Sequence, residues 1–179
     1  MLNEFFDIAV GIIYQHNGIV DKFIGDALMA IFGLTTPIYQ VSVDAISAAL
    51  ELQEATQILM CKWEKEGKRT FRIRVGINTG PVIAGDIGSR DRMDYTVIGD
   101  TVNVASRMVD HAMPGKVLIS GETYSSCKPY FKVQPKGKIQ VKNRTQAVEA
   151  FTIIEKKTCH IQQTRIIFIN RKNSSTTIL

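Results

Sequence analysis

Residues 21–33 read Asp-Lys-Phe-Ile-Gly-Asp-Ala-Leu-Met-Ala-Ile-Phe-Gly, and Gly25-Asp26 separates two short apolar runs. The runs, at 19–24 and 27–32, have the length of strands, and a Gly-Asp pair is a common turn between strands. The sequence therefore predicts a β-hairpin. Each of the two charged residues here has an ordinary structural explanation. Lys22 could lie on a solvent-exposed strand edge, and Asp26 is a common turn residue.

Helical patterns flank this hairpin. Residues 2–13 repeat apolar side chains at helical spacing, and residues 41–66 form a longer amphipathic pattern that ends before Gly67. A further helix is predicted at 101–111, and strands are predicted at 71–78, 82–87, 95–98, 117–120, 130–133 and 150–154. This alternation of helices and strands predicts one α/β domain over residues 1–154.

The end of the chain differs from this domain in pattern and charge. The formal net charge is +5, and residues 156–179 contain no acid and five bases, Lys156, Lys157, Arg165, Arg171 and Lys172. We predict a basic, disordered tail at 155–179. Because a nucleic-acid-binding face would need bases clustered on the folded body, we expect no nucleic-acid partner.

Cysteine usage and hydropathy indicate the compartment. Cys61, Cys127 and Cys159 lie far apart and form no zinc-type or disulfide-type pair pattern. No apolar run approaches the ~18 residues of a membrane span. We therefore predict a cytoplasmic domain, with no membrane segment in this chain, although it could be the cytosolic part of a membrane-attached protein.

A second informative stretch covers residues 95–107, Tyr-Thr-Val-Ile-Gly-Asp-Thr-Val-Asn-Val-Ala-Ser-Arg. On the predicted helix, Asn103 and Arg107 are four residues apart and share a face. An amide donor beside a planar cation is suited to stabilising charge on a phosphate oxygen. A solvent-exposed helix face is the structural alternative.

Together with Arg-Val-Gly-Ile-Asn-Thr-Gly at 74–80, these two stretches resemble the class III adenylyl and guanylyl cyclase catalytic domain, in the same order and spacing. The resemblance implies an α+β fold with a ferredoxin-like βαββαβ sheet, as in the polymerase palm, and helices packed on it. It also implies a head-to-tail homodimer that converts a nucleoside triphosphate to a 3′,5′-cyclic monophosphate and pyrophosphate for intracellular signalling. Members of this family use two Mg²⁺ or Mn²⁺ ions held by two aspartates.

The resemblance also implies roles for individual residues. Asp26 matches the second metal-binding aspartate. Lys22 matches the purine-reading position, where lysine accompanies adenine, and Thr96 matches its partner. Lysine donates to the adenine N1 acceptor, and a hydroxyl can accept from the adenine amino group, so the implied substrate is ATP.

Four further positions concern the sugar and the phosphates. Asn103 and Arg107 match the pair that orients the ribose and stabilises the pentavalent transition state. Arg74 matches a phosphate-binding arginine, although an exposed position on an alternating strand explains it equally well. Lys142 matches a triphosphate-binding lysine less closely, because Asn143 follows it where the family usually has glycine.

The family's first strand, which carries the other metal aspartate, should lie farther before Asp26 than this chain reaches. We therefore expect an N-terminally incomplete adenylate cyclase that is inactive and folds poorly on its own, because strands 27–32 and 71–78 would lack their common neighbour. The alternative is a non-catalytic nucleotide-binding or dimerisation partner that lends Lys22, Thr96, Asn103 and Arg107 to an intact cyclase subunit. An unrelated α/β binding module is the third interpretation.

Overall fold

The computed structural model describes residues 1–34, 38–141 and 147–157. Lys142, Cys159 and most of the predicted tail therefore lie outside the described residues. The elements in chain order are α1 Leu2–Gln15, β1 Gly18–Ile24, β2 Ala27–Phe32, α2 Ile38–Lys65, β3 Val75–Ile77, β4 Ile83–Ser89, β5 Arg92–Ile98, α3 Asp100–His111, β6 Val117–Ser120, α4 Gly121–Cys127, β7 Phe131–Ile139 and β8 Val148–Lys156.

The strands form one four-stranded sheet and two separate hairpins. The sheet has the order β3-β6-β8-β7, in which β3 and β6 are parallel and the other pairs are antiparallel. The hairpins are β1-β2 and β4-β5. Within the described residues, β2 pairs only with β1, and β3 pairs only with β6.

Helices cover both faces of the four-stranded sheet. Val117 and Ile119 of β6 belong to a core cluster with Ile46 of α2, whereas Leu118 between them packs in a cluster with Val104 and Met108 of α3. Successive side chains of a strand point to opposite faces, so all four residues of β6 are buried. Each large apolar side chain buried in this way contributes about 1.5–3 kcal/mol.

A third cluster joins α1 to the second half of α2. Phe5, Ala9 and Trp63 are buried there. The Nε1–H of Trp63 donates to Glu4 Oε2 at 2.9 Å, and Lys62 Nζ bonds the other carboxylate oxygen. Both hydrogen bonds lower the pKa of Glu4, and the bond from Lys62 has the larger effect.

Of the described helices, none is both long and apolar enough to cross a membrane.

Helix α3 lies very close to β3, and the contact depends on a glycine. A Cβ at Gly76 would lie 2.4 Å from the backbone nitrogen of Val109 and 2.7 Å from Met108 Cβ. Any side chain at position 76 would therefore push α3 away from the sheet. The glycine sets the distance between them.

Most elements predicted from the sequence are confirmed, with shifted ends. The hairpin of β1 and β2 turns at Gly25, whose φ of 62° favours glycine. β5 begins at Arg92 rather than Tyr95 and pairs with β4 along its whole length. β7 continues to Ile139, and β8 includes Glu155 and Lys156, beyond the predicted end of the domain.

The strand predicted at 71–78 is too long, because only Val75–Ile77 pairs with a neighbour. The apolar residues of the alternation before β3 are partly buried, and the backbone there continues toward the residues that precede β6. The Phe71 ring contacts Phe5 and Trp63, and the Ile73 carbonyl accepts from the Gly115 N–H at 2.8 Å. The short helix α4 was not predicted from the sequence.

We expect Gly76→Ala to lower the free energy of unfolding by about 1–3 kcal/mol, the usual cost of overpacking a core. Gly85→Ala is the matched control, because Gly85 also lies in a strand and a Cβ there would meet nothing within 4 Å. Urea denaturation of both variants, made in the full-length protein, measures the difference. Equal stability of the two variants would contradict the packing described for α3.

Candidate active site

The two predicted base-reading residues meet where β1 approaches β5. The pairing of β1 with β2 is irregular there: Val20 lies opposite Ala30 and Lys22 lies opposite Met29. Asp21 is therefore the extra residue of a β-bulge, a feature that redirects side chains and is frequent beside active sites. The side chain of Asp21 is only 1% exposed.

Asp21 connects Lys22 to Thr96. The Thr96 hydroxyl donates to Asp21 Oδ2 at 2.9 Å, and Lys22 Nζ lies 3.4 Å from the same oxygen. Thr96 is buried, whereas the Lys22 side chain is 43% exposed. The structure thus brings together the two residues selected from separate stretches of sequence. Asp21 was missed, and its only signal was a carboxylate next to Lys22 in an apolar run.

Asp26 is exposed in the turn of the first hairpin. Its carboxylate is a suitable ligand for Mg²⁺ or Mn²⁺, which prefer oxygen. Among the described residues, however, no group of three or more His, Cys, Asp or Glu side chains could hold a metal ion. The described part of the chain therefore offers one candidate ligand and does not make up a metal site by itself.

Asn103 and Arg107 are both exposed on α3, while the adjacent Val104 and Met108 are buried against the sheet. Arg107 Nη1 donates to Asp110 Oδ2 at 2.8 Å. Both partners of this ion pair are about half exposed, at 46% and 54%. The predicted shared face exists, with an aspartate at its end that the sequence interpretation did not include.

The first turn of α3 is tied to the loop after β3. Asn78 Nδ2 donates to the Thr101 carbonyl at 2.9 Å, and Thr101 Oγ1 donates to the Pro81 carbonyl at 2.6 Å. These bonds connect the end of the sheet to the helix that carries Asn103. They fix the helix along its axis, as Gly76 fixes its distance from the sheet.

The same loop is also held by a chain of hydroxyl groups that begins at Thr79. Thr79 Oγ1 lies 3.0 Å from Thr123 Oγ1 and 3.4 Å from Ser42 Oγ, and Thr123 Oγ1 lies 3.1 Å from Ser120 Oγ. Ser42, Ser120 and Thr123 are buried. Because each buried hydroxyl has a partner, the network orders the loop without leaving an unpaired polar group.

The remaining predicted residues are not joined to this arrangement. Arg74 is exposed and precedes β3, so its predicted place on a strand is wrong. Lys142 lies outside the described residues. Cys127 is buried, and burial raises the pKa of its thiol to about 11, so it is not a nucleophile at neutral pH.

Solved structures of known proteins share this architecture. The chain superimposes on the adenylyl cyclase CyaB from P. aeruginosa with a TM-score of 0.84 and 33% identity, covering 88% of this chain and 82% of that one. Superposition on the guanylyl cyclase Cya2 gives a TM-score of 0.82 and 27% identity, covering 89% and 81%. The α+β cyclase fold predicted from the sequence is therefore confirmed.

Sequence comparison gives the same family. Adenylate cyclase 1 of Rhizobium meliloti (strain 1021) is 31% identical over 156 residues, which are 86% of this chain but only 24% of that protein. The chain thus spans about a quarter of the length of the curated relatives it matches. The sequence model of the family 'Adenylate and Guanylate cyclase catalytic domain' matches residues 1–156. The chain belongs to the adenylate and guanylate cyclase catalytic domain family.

Proposed function

We propose that this domain is adenylyl in type and converts ATP to 3′,5′-cyclic AMP and pyrophosphate in a cytoplasmic signalling pathway. The observation that carries the proposal is that Lys22 and Thr96 contact the same oxygen of Asp21. The family includes adenylyl and guanylyl members, so membership alone does not select the base. The selection rests on these side chains.

The pair matches the edge of adenine. An ammonium group has only donors, so Lys22 suits the unprotonated N1 of adenine and opposes the N1–H of guanine. The oxygen of Thr96 retains lone pairs while its hydrogen bonds Asp21, so it can accept from the adenine amino group. Guanine would place a donor against Lys22, which disfavours GTP.

Arg107 and Asn103 supply the charge-stabilising part of the site. The pair between Arg107 and Asp110 is about half exposed, and such pairs contribute only about 0–1 kcal/mol. The guanidinium is therefore free to turn toward a phosphate at little cost. Charge that grows on the phosphate in the transition state would then meet a planar cation and an amide donor.

The metal ions and outer phosphate contacts complete the proposal. Two Mg²⁺ or Mn²⁺ ions would activate the 3′-hydroxyl and neutralise the departing phosphates. Asp26 would be one ligand, and further ligands must come from outside the described residues of this chain. We assign triphosphate binding to Arg74 and Lys142, from the resemblance alone.

A second cyclase domain is the proposed partner. Members of the family bind nucleotide and dimerise. The two hairpins expose large apolar side chains that a monomer would leave in water, namely Phe23, Ile24, Ile83, Met93, Tyr95 and Ile98. Exposed apolar side chains in such number indicate a protein contact surface, here one that a second copy would cover.

We expect Lys22→Glu in the full-length protein to shift the ratio of kcat/KM for ATP over GTP by about 10- to 100-fold toward GTP. A glutamate accepts where lysine donates, so it matches the guanine edge. Cyclic AMP and cyclic GMP formed with Mn²⁺ are measured for both nucleotides. Lys65→Glu, at the exposed end of α2, is the control for the same change of charge.

An unchanged ratio would remove Lys22 from base recognition. Wild-type activity that appears only after mixing with an intact cyclase subunit would instead support the non-catalytic partner. Wild-type protein that prefers GTP would overturn the adenylyl assignment.

We expect Arg107→Ala to lower kcat about 10²- to 10³-fold with little change in KM, because the guanidinium meets charge that develops in the transition state. Asn103→Ala should show the same division between kcat and KM. Asp110→Ala is the matched control: it breaks the ion pair but retains the arginine, and should leave kcat near wild type. A raised KM with unchanged kcat would reassign Arg107 to substrate binding.

A further inference from the structure

The base-reading pair depends on a third side chain that faces no substrate. Asp21 lies in a β-bulge, its side chain is 1% exposed, and its Oδ2 accepts from Thr96 at 2.9 Å. On a regular strand, Asp21 and Lys22 would point to opposite faces. The bulge instead lets both reach the same place beside β5.

A threonine hydroxyl alone does not distinguish adenine from guanine. It can accept from the adenine amino group, or it can rotate and donate to the guanine O6 acceptor. A carboxylate has no hydrogen to give, so the hydrogen bond between Thr96 and Asp21 has one direction. It commits the hydroxyl hydrogen of Thr96 to Asp21 and leaves only lone pairs for the base.

We propose that Asp21 is a positioning residue for purine specificity: it fixes Thr96 as a hydrogen-bond acceptor, and thereby excludes guanine. This proposal rests on the proposed adenylyl function. Lys22 Nζ lies 3.4 Å from the same carboxylate oxygen, so the oriented hydroxyl lies beside the ammonium. Because its side chain is only 1% exposed, Asp21 would act through Thr96 rather than by contact with the base.

The test is Asp21→Asn in the full-length protein, a change that preserves shape. An asparagine amide can donate to Thr96, which releases the hydroxyl hydrogen for guanine O6. We expect the ratio of kcat/KM for GTP over ATP to rise about tenfold, the effect of one hydrogen bond. The added positive charge of the site acts equally on both triphosphates and cancels in this ratio.

Two matched variants separate this role from a structural one. Asp94→Asn, two residues before Thr96 and exposed on β5, should leave the ratio unchanged. Thr96→Val removes the hydroxyl, so adding Asp21→Asn to it should not move the ratio further. Non-additivity of this kind is the signature of two residues acting as a unit.

Displacement of a fluorescent nucleotide by ATP and by GTP gives the ratio of their dissociation constants without requiring turnover, and the same direction of change is expected in that ratio. If Asp21→Asn shifts the binding ratio although the wild-type protein forms no cyclic nucleotide, the proposed function is wrong but the role of Asp21 is supported. An unchanged ratio in Asp21→Asn, or an equal shift in the Thr96→Val background, overturns the role of Asp21. Wild-type protein that binds neither nucleotide overturns both.

Discussion

The close approach of α3 to β3 over Gly76 is the constraint on which the positions of Asn103 and Arg107 depend. The absence of a side chain at Gly76 lets the backbone of Val109 rest on the strand, and the bond from Asn78 to Thr101 fixes the first turn. With Val104 and Met108 buried, Asn103 and Arg107 can face only outward. Sheet packing therefore determines where these two side chains lie.

The base-reading half is held differently. β1 and β5 belong to separate hairpins that share no strand pairing among the described residues, and a side-chain bond from Thr96 to Asp21 connects them. A hydrogen bond to a charged group contributes about 1.5–3 kcal/mol, more than the ~1 kcal/mol of an ordinary hydrogen bond. The side chains proposed for base recognition and those proposed for transition-state stabilisation are thus held by separate contacts.

Local patterns were sufficient to predict the hairpin at Gly25-Asp26, the helix that carries Asn103 and the family itself. They failed where long-range contacts decide. The pattern at Phe71 and Ile73 predicts a longer strand than Val75–Ile77; Phe71 packs on Trp63, and the Ile73 carbonyl accepts from the Gly115 N–H. The bulge at Asp21 and its bond to a threonine 75 residues away leave no periodic trace in the sequence. Lys22 and Thr96 were selected because the family pattern names them, whereas the contact of Asp21 with both could be seen only in the structure.

A crystal structure of the full-length protein with a slowly reacting ATP analogue tests the central claim most directly. The account predicts adenine N1 within about 3 Å of Lys22 Nζ and the amino group within about 3 Å of Thr96 Oγ1. Thr96 should still donate to Asp21 at close to 2.9 Å. Adenine bound elsewhere, or a Thr96 hydroxyl turned from Asp21 toward the base, would contradict it.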